Sequence, residues 1–151
     1  MLSARDRMRL KGVHPVLVDK VDLIFEHMTR IGHPMFVVHG VRTAEHQHSL
    51  WLKGRRGVKG ERRVTDKDGY TARSNHQTHG DGLGHAVDAA FLPTSVQPDP
   101  FAQTWPWREF GLFAESLGLR WGGRYPKLVD LAHIEWVTPP KIVHRTDTDP
   151  V

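Results

Sequence analysis

The stretch SNHQTHGDGLGHAVDAAF, residues 74–91, carries three histidines and two aspartates and then turns apolar. Asp88 falls inside the apolar part. A carboxylate buried alone in a small strand is costly, so it needs a cation, a hydrogen-bond cluster or a metal beside it. His76, His79 and His85 are the nearby partners, and a second group of the same chemistry stands far downstream in VDLAHIEW as Asp130, His133 and Glu135. Two sequence-distant clusters of this composition suggest one metal site. The sequence has no cysteine, so any metal must be held by imidazole and carboxylate. That donor set suits Zn²⁺ with three protein ligands and a position left for water. The helical pattern H-E-x-x-H is absent, which excludes a zincin-type arrangement.

These residues need elements to bring them together. Pro15 suits a first helical turn, and Leu17, Val21, Ile24 and Met28 recur at helical spacing until Gly32, which predicts an amphipathic helix. MFVVHG reads as a short buried strand, and TAEHQHSLWLKG as a second helix with Thr43 at its N-cap, Glu45 in its first turn and Gly54 ending it. From Gly54 to Arg73 glycines and charges alternate without an apolar period; this is a long loop with room for a hairpin. GHAVDAAFL alternates as a strand, with Ala86, Asp88 and Ala90 on one face and Val87, Ala89 and Phe91 on the other. By that alternation His85 lies opposite Asp88, as a residue behind the site or on the surface. A third helix starts at about Trp107, with Trp107, Phe110, Ala114 and Leu117 on one stripe and Gly118 as its cap. LAHIEWV reads as a closing strand. Trp105, Trp107, Trp121 and Trp136 are expected as core and cleft-wall aromatics. Helices and short strands in this order predict an α+β fold.

At 151 residues, 38% hydrophobic and 25% charged, the chain suits one domain with a real core. We expect a single domain over 1–151, with its core at about 12–138 and a loose tail at 139–151. The start MLSARDRMRLKGVHP lacks the apolar run of a secretory signal, so synthesis in the cytoplasm without stable membrane insertion is expected. A net charge of +4 and pI near 9.7 suit an acidic partner. A nucleic-acid-binding module would explain that charge, but no recognised motif accompanies it.

In order, SNH, GHAVD and DLAHIEW resemble the Ser-x-His, Gly-x-Ala-x-Asp and Asp-x-x-His elements of the zinc peptidases that include D-Ala-D-Ala carboxypeptidases and phage L-alanyl-D-glutamate endopeptidases. GVRTAEHQHSLWLKGR resembles that family's upstream Gly-x-Arg-Ser/Thr segment with its downstream Gln, Leu and Gly-Arg. The resemblance runs from about residue 12 to residue 137. It implies a short, mostly antiparallel sheet with about three helices around a zinc cleft. It also implies His76, Asp88 and His133 as Zn²⁺ ligands, Asp130 as general base, Arg42 as the substrate-binding cation, and Ser74 as support for substrate or site. The interval from His76 to Asp88 is longer than in the family's compact form, with THGDGL filling it, so His79 stands as the alternative first ligand. Arg42 has a plainer reading, a surface pair with Glu45. Glu135 is either the carboxylate that orients an imidazole or a solvated strand residue.

The implied activity is zinc-dependent hydrolysis of peptidoglycan stem peptides by a monomer, with no nucleic acid as partner. The absent signal and the lack of a wall-binding repeat resemble a phage endolysin that reaches the wall after release from the host cytoplasm. Cleavage between L-Ala and D-Glu is expected, with D-Ala-D-Ala carboxypeptidase activity as the alternative. The basic loop 54–73 would attract the anionic wall. A zinc-binding domain without catalysis would lack a base such as Asp130.

Overall fold

The charged start of the chain folds into a short helix, α1 (Ala4–Arg9), which the apolar periodicity did not reveal. Its signal is local: Ser3 and Asp6 form a capping box, each side chain satisfying the other's backbone N–H. Helix α2 (Pro15–Arg30) follows with Pro15 at its first position, and Leu17, Val21, Ile24 and Met28 are buried as their spacing predicts. Next come strand β1 (Met35–His39), helix α3 (Ala44–Leu52) capped by Thr43, strand β2 (Ala86–Phe91) and helix α4 (Trp107–Ser116). Strand β3 (Arg120–Trp121), a single 3-10 turn (Gly122–Arg124) and strand β4 (His133–Glu135) complete the described elements. This structure, a computed structural model, describes residues 1–137; the expected loose tail at 139–151 lies outside the described residues.

The four strands form one antiparallel sheet in the order β1-β2-β4-β3. Strand β4, last of the described strands, is therefore an inner strand, because the two-residue β3 that precedes it takes the edge. The architecture is the expected α+β domain, with α1 added to the three expected helices. No strand forms between Gly54 and Arg73, so the allowance for a hairpin there is not taken up.

Alternation along β2 divides the sheet's two faces. Val87, Ala89 and Phe91 join Leu17, Val21, Ile24, Phe25, Trp107 and Phe110 in the core. Burial of each large apolar side chain contributes roughly 1.5–3 kcal/mol. That face anchors the sheet, leaving the other free to carry charge. Trp107 and Trp121 are core residues, Trp105 stacks on Phe91, and Trp136 lies against His14. Among the described residues no tryptophan lines the cleft described below, so the cleft-wall part of that expectation is corrected.

The other edge of the sheet, β1, is covered by α1. Asp6 Oδ1 accepts the Val37 N–H at 2.8 Å, and Arg9 Nη1 donates to the Val37 carbonyl at 2.6 Å. These bonds satisfy an edge that would otherwise invite pairing. The register of β1 on β2 slips between Val37 and His39, so Val37 faces Ala89 but His39 faces Asp88. A bulge of this kind re-aims a side chain. Here it moves His39 from the core side to the charged side.

Candidate metal centre

His76, Asp88 and His133 converge from three parts of the chain. Asp88 stands mid-strand in β2 and His133 opens β4 directly opposite it in register. His76 comes from the loop segment before β2, held by Ser74, whose Oγ accepts the His76 N–H at 3.3 Å, and by the His76 carbonyl, which accepts the Arg42 N–H at 2.9 Å. All three are buried. His76 Nε2 lies 3.1 Å from Asp88 Oδ1 and 3.1 Å from His133 Nδ1, and His133 Nδ1 lies 3.0 Å from Asp88 Oδ1. These were the sequence-derived ligands, and the structure brings them together.

The ring nitrogens that do not converge explain those that do. His76 Nδ1 is 2.8 Å from the Gly40 carbonyl, which can only accept, so this nitrogen carries the proton and Nε2 keeps its lone pair. His133 Nε2 faces Glu135 Oε2 at 3.4 Å, which leaves His133 Nδ1 as the free nitrogen. Once both rings are neutral, two imidazole lone pairs and a carboxylate oxygen face one another across 3.0–3.1 Å. Without a shared cation or proton they repel. Their spacing is within reach of bonds of about 2.0–2.2 Å to a single ion, the lengths Zn²⁺ makes to nitrogen and oxygen. The donor set fits a metal.

Charge in the cluster follows the same partners. Burial alone would raise the Asp88 pKa, but His76, His133 and His39 outweigh it and hold the carboxyl well below its ordinary range. Burial alone would lower that of His133, yet bonds to Asp88 and Glu135 raise it to about 9. Glu135, against the cost of its own burial, is drawn down to about 2 by His133, Asn75 and Tyr125. It bonds Asn75 Nδ2 and accepts the Tyr125 hydroxyl at 3.1 Å. Glu135 is therefore the orienting carboxylate, not a solvated strand residue.

Arg42 does not pair with Glu45. Its side chain is 9% exposed, and Nη2 donates to Asp88 Oδ2 at 3.2 Å while Nη1 donates to Gln47 Oε1 at 2.8 Å. Its Nε is buried without a partner among the described residues. Asp88 thus divides its oxygens: Oδ1 faces the two imidazoles, and Oδ2 takes Arg42, with His39 Nδ1 at 3.7 Å. Neither His39 nor Gln47 was assigned a role from the sequence. Gln47 stood in the motif without one, and the bulge that turns His39 leaves no mark in the alternation.

Asp130 stands at the mouth of the same cleft. Its backbone N–H donates to the Gly122 carbonyl at 3.0 Å, and one carboxylate oxygen accepts the Ala132 N–H at 3.2 Å. A Cβ at Gly122 would collide with the Asp130 carbonyl and lie 3.0 Å from the His133 Cβ. That glycine therefore lets the Asp130 turn sit against β4. Asp130 is solvent-exposed, yet the surrounding protein still desolvates it, and this, together with the charge of Asp88, raises its pKa. A cleft of about 690 Å³ opens above the cluster, lined by Arg42, Ser74, Asp88, Asp130 and His133 and walled by residues 64–67 and 125–128.

His79, the alternative ligand, is elsewhere. Its ring stacks on that of His85 at 3.9 Å and 6°, and it is exposed. His85 is buried and bonded to Asp81 Oδ2 at 2.7 Å through Nε2, so the surface reading of His85 is corrected. Among the described residues, His76, Asp88 and His133 form the group whose donor atoms converge as metal ligands would. The basic loop is also less free than its composition suggests. Arg55 donates to the Trp51 and Thr65 carbonyls, and Arg56 pairs with Glu61.

A family model described as D-alanyl-D-alanine carboxypeptidase matches residues 68–136, which span His76, Asp88, Asp130 and His133. Solved structures share the fold. The L-Ala D-Glu endopeptidase ChiX of Serratia marcescens is 27% identical with a TM-score of 0.58, over 90% of this chain and 89% of that one. The LD-carboxypeptidase LdcB is 21% identical, TM-score 0.57, over 83% of this chain and 66% of its own. The vancomycin-resistance D,D-dipeptidase VanXYg, solved with a D-Ala-D-Ala phosphinate analogue, is 23% identical, TM-score 0.52, over 85% and 51%. At that identity the last two speak for the fold alone. No curated protein sequence matches the chain. The family resemblance read from the motifs is borne out by these matches.

Proposed function

We propose that this chain is a metallopeptidase of the family whose model it matches, and a zinc-dependent peptidoglycan hydrolase that cleaves stem peptides between L-Ala and D-Glu. The observation that carries the catalytic reading is the pair of imidazole nitrogens, His76 Nε2 and His133 Nδ1, that meet at Asp88 Oδ1, each ring fixed by a partner on its other nitrogen. His76, Asp88 and His133 would hold Zn²⁺, with Glu135 and Gly40 fixing their rings. When bound, Zn²⁺ polarises a carbonyl and lowers the pKa of water toward about 7.

The remaining steps belong to the chain's own residues. Asp130 has one oxygen held by Ala132 and the other free of protein partners among the described residues, so the free oxygen can take the proton of an attacking water and return it to the leaving amine. Its raised pKa brings it closer to the operating pH, where a general base works best. Arg42, at the back of the cleft, supplies positive charge for a substrate carboxylate or for charge that develops on the carbonyl oxygen. Ser74 holds the segment that carries His76. Lys53, Lys67 and Lys127, also at the cleft, would favour the carboxylate-rich stem peptide.

The choice of bond is supported by the likeness to an L-Ala D-Glu endopeptidase over nearly the full length of both chains. A lytic role, as a phage endolysin released onto the wall from the cytoplasm, rests on the motif resemblance; among the described residues no helix is long and apolar enough to cross a membrane. The test is mass spectrometry of purified peptidoglycan after digestion. Peptides with a new D-Glu amino terminus are expected, lost with chelator and restored by Zn²⁺. Release of D-Ala alone, with crosslinks intact, would replace this reading with the carboxypeptidase.

A further inference from the structure

Gln47 is the buried residue of α3, fully enclosed and not part of the cleft lining. A primary amide so placed needs partners for both ends. Its Oε1 accepts Arg42 Nη1 at 2.8 Å, and its Nε2 donates to the Lys67 carbonyl at 2.8 Å and to Thr65 Oγ1 at 3.2 Å. The orientation of the amide is unambiguous, because Arg42 can only donate and the Lys67 carbonyl can only accept. One side chain therefore holds the cation that bonds Asp88 and the loop that walls the cleft.

The loop is gripped from a second side. Gln77, also buried, donates from Nε2 to the Gly69 carbonyl at 2.8 Å, and its Oε1 accepts the Ser74 N–H at 3.0 Å. Gly69, at φ +89°, packs so closely that a Cβ would lie 2.7 Å from the Ala44 carbonyl and 3.0 Å from the Gln47 Cβ. Residues 65–69 are thus seated on α3 and on the His76 segment, not strung loosely above them.

We propose that Gln47 is a positioning residue that couples the seating of the 65–69 wall to the aim of Arg42 at Asp88. With the wall seated, both Nε2 hydrogens are used and Oε1 is held toward Arg42. With the wall lifted, the amide loses what fixes it, and Arg42 loses a bond that restrains its fork. Contacts a substrate makes with the wall would then be felt at Arg42. The kinetic part of this proposal rests on the peptidase reading; the structural part does not.

The zinc-loaded protein, three variants and an Arg42→Ala background test it. Gln47→Glu replaces the donor that holds the wall but keeps an acceptor for Arg42, Thr65→Ala removes one wall bond, and Gln47→Leu removes both ends. For Gln47→Glu, tryptic cleavage at Arg62, Arg63 and Lys67 should rise on the order of tenfold, as the open form is populated. KM should rise more than kcat falls, with one zinc per chain retained, and Thr65→Ala should move in the same direction by less. In an Arg42→Ala background Gln47→Leu should change KM by less than about twofold, because the partner it acts through is gone. Unchanged proteolysis and KM in Gln47→Glu, or full multiplication of the two effects in the double variant, would overturn the coupling. If the wild type hydrolyses no stem peptide, the peptidase reading fails, while the proteolysis arm still decides whether Gln47 seats the wall.

Discussion

Two histidine clusters lie within a few residues of each other in this chain, and they do opposite things. His76 shares a centre with Asp88 and His133, its Nε2 3.1 Å from a donor atom of each. His79 and His85 have similar composition around them, including Asp81, but their rings lie face to face at 3.9 Å and 6°. In a face-to-face stack the nitrogens lie in parallel planes and do not meet at a point. Composition is alike in the two regions; what differs is whether each imidazole has a partner behind it that turns its free nitrogen inward. Gly40 and Glu135 do this for the first cluster, while Asp81 takes the Nε2 of His85 in the second.

The contrast breaks most visibly at the proposed ligands. His76→Ala, His133→Ala and Asp88→Asn should each lose most bound zinc and nearly all hydrolysis, by elemental analysis and product assay, whereas His79→Ala should keep both. Asp88→Ala should also lower the melting temperature, because removal of one member of a buried pair costs about 3–5 kcal/mol and here leaves Arg42 without its carboxylate. Asp130→Asn separates holding the metal from using it: zinc and fold should persist while kcat falls on the order of a hundredfold or more. Normal turnover in that variant would remove Asp130 from the mechanism.

Smaller effects sharpen the comparison. Glu135→Gln keeps the shape behind His133 but weakens its hold on the Nε2 proton, so zinc affinity should fall by about 10–100-fold in chelator competition. In the metal-free protein His133, raised to about 9, holds a proton that zinc must displace. Apparent zinc affinity should therefore climb with pH up to about 9, and binding should release protons, measurable by calorimetry in buffers of different ionisation enthalpy. The stability sign is the reverse. A raised pKa contributes stability that is fully present below the unfolded value near 6.5 and is lost as pH rises through about 9, so the metal-free protein should melt lower across that window. His79→Ala, on an exposed stacked ring, should change stability by under about 1 kcal/mol.

Much of this was legible in the sequence for identifiable reasons. Leu17, Val21, Ile24 and Met28 declare α2 by period, Thr43 declares the start of α3, and β2 alternates cleanly enough to place Asp88 on the face away from Phe91. The ligand set came from the order of motifs, not from periodicity. Helix α1 was hidden because its six residues show no apolar repeat and its signal is a capping box. The two-residue β3 is too short to alternate. The bulge that turns His39, the tie between Gln47 and the 65–69 wall, and the pairing of Arg42 with Asp88 are tertiary facts. Each depends on which sequence-distant group lies alongside, which no local pattern encodes.

Zinc-edge X-ray absorption on the zinc-loaded chain tests the central claim most directly, since it reports which side chains the ion touches. The account predicts one zinc with two imidazole rings, one carboxylate oxygen and one further light atom, at about 2.0–2.2 Å, and an unchanged spectrum for His79→Ala. A third imidazole that disappears in His79→Ala, or a protein that retains no zinc at neutral pH, would contradict it.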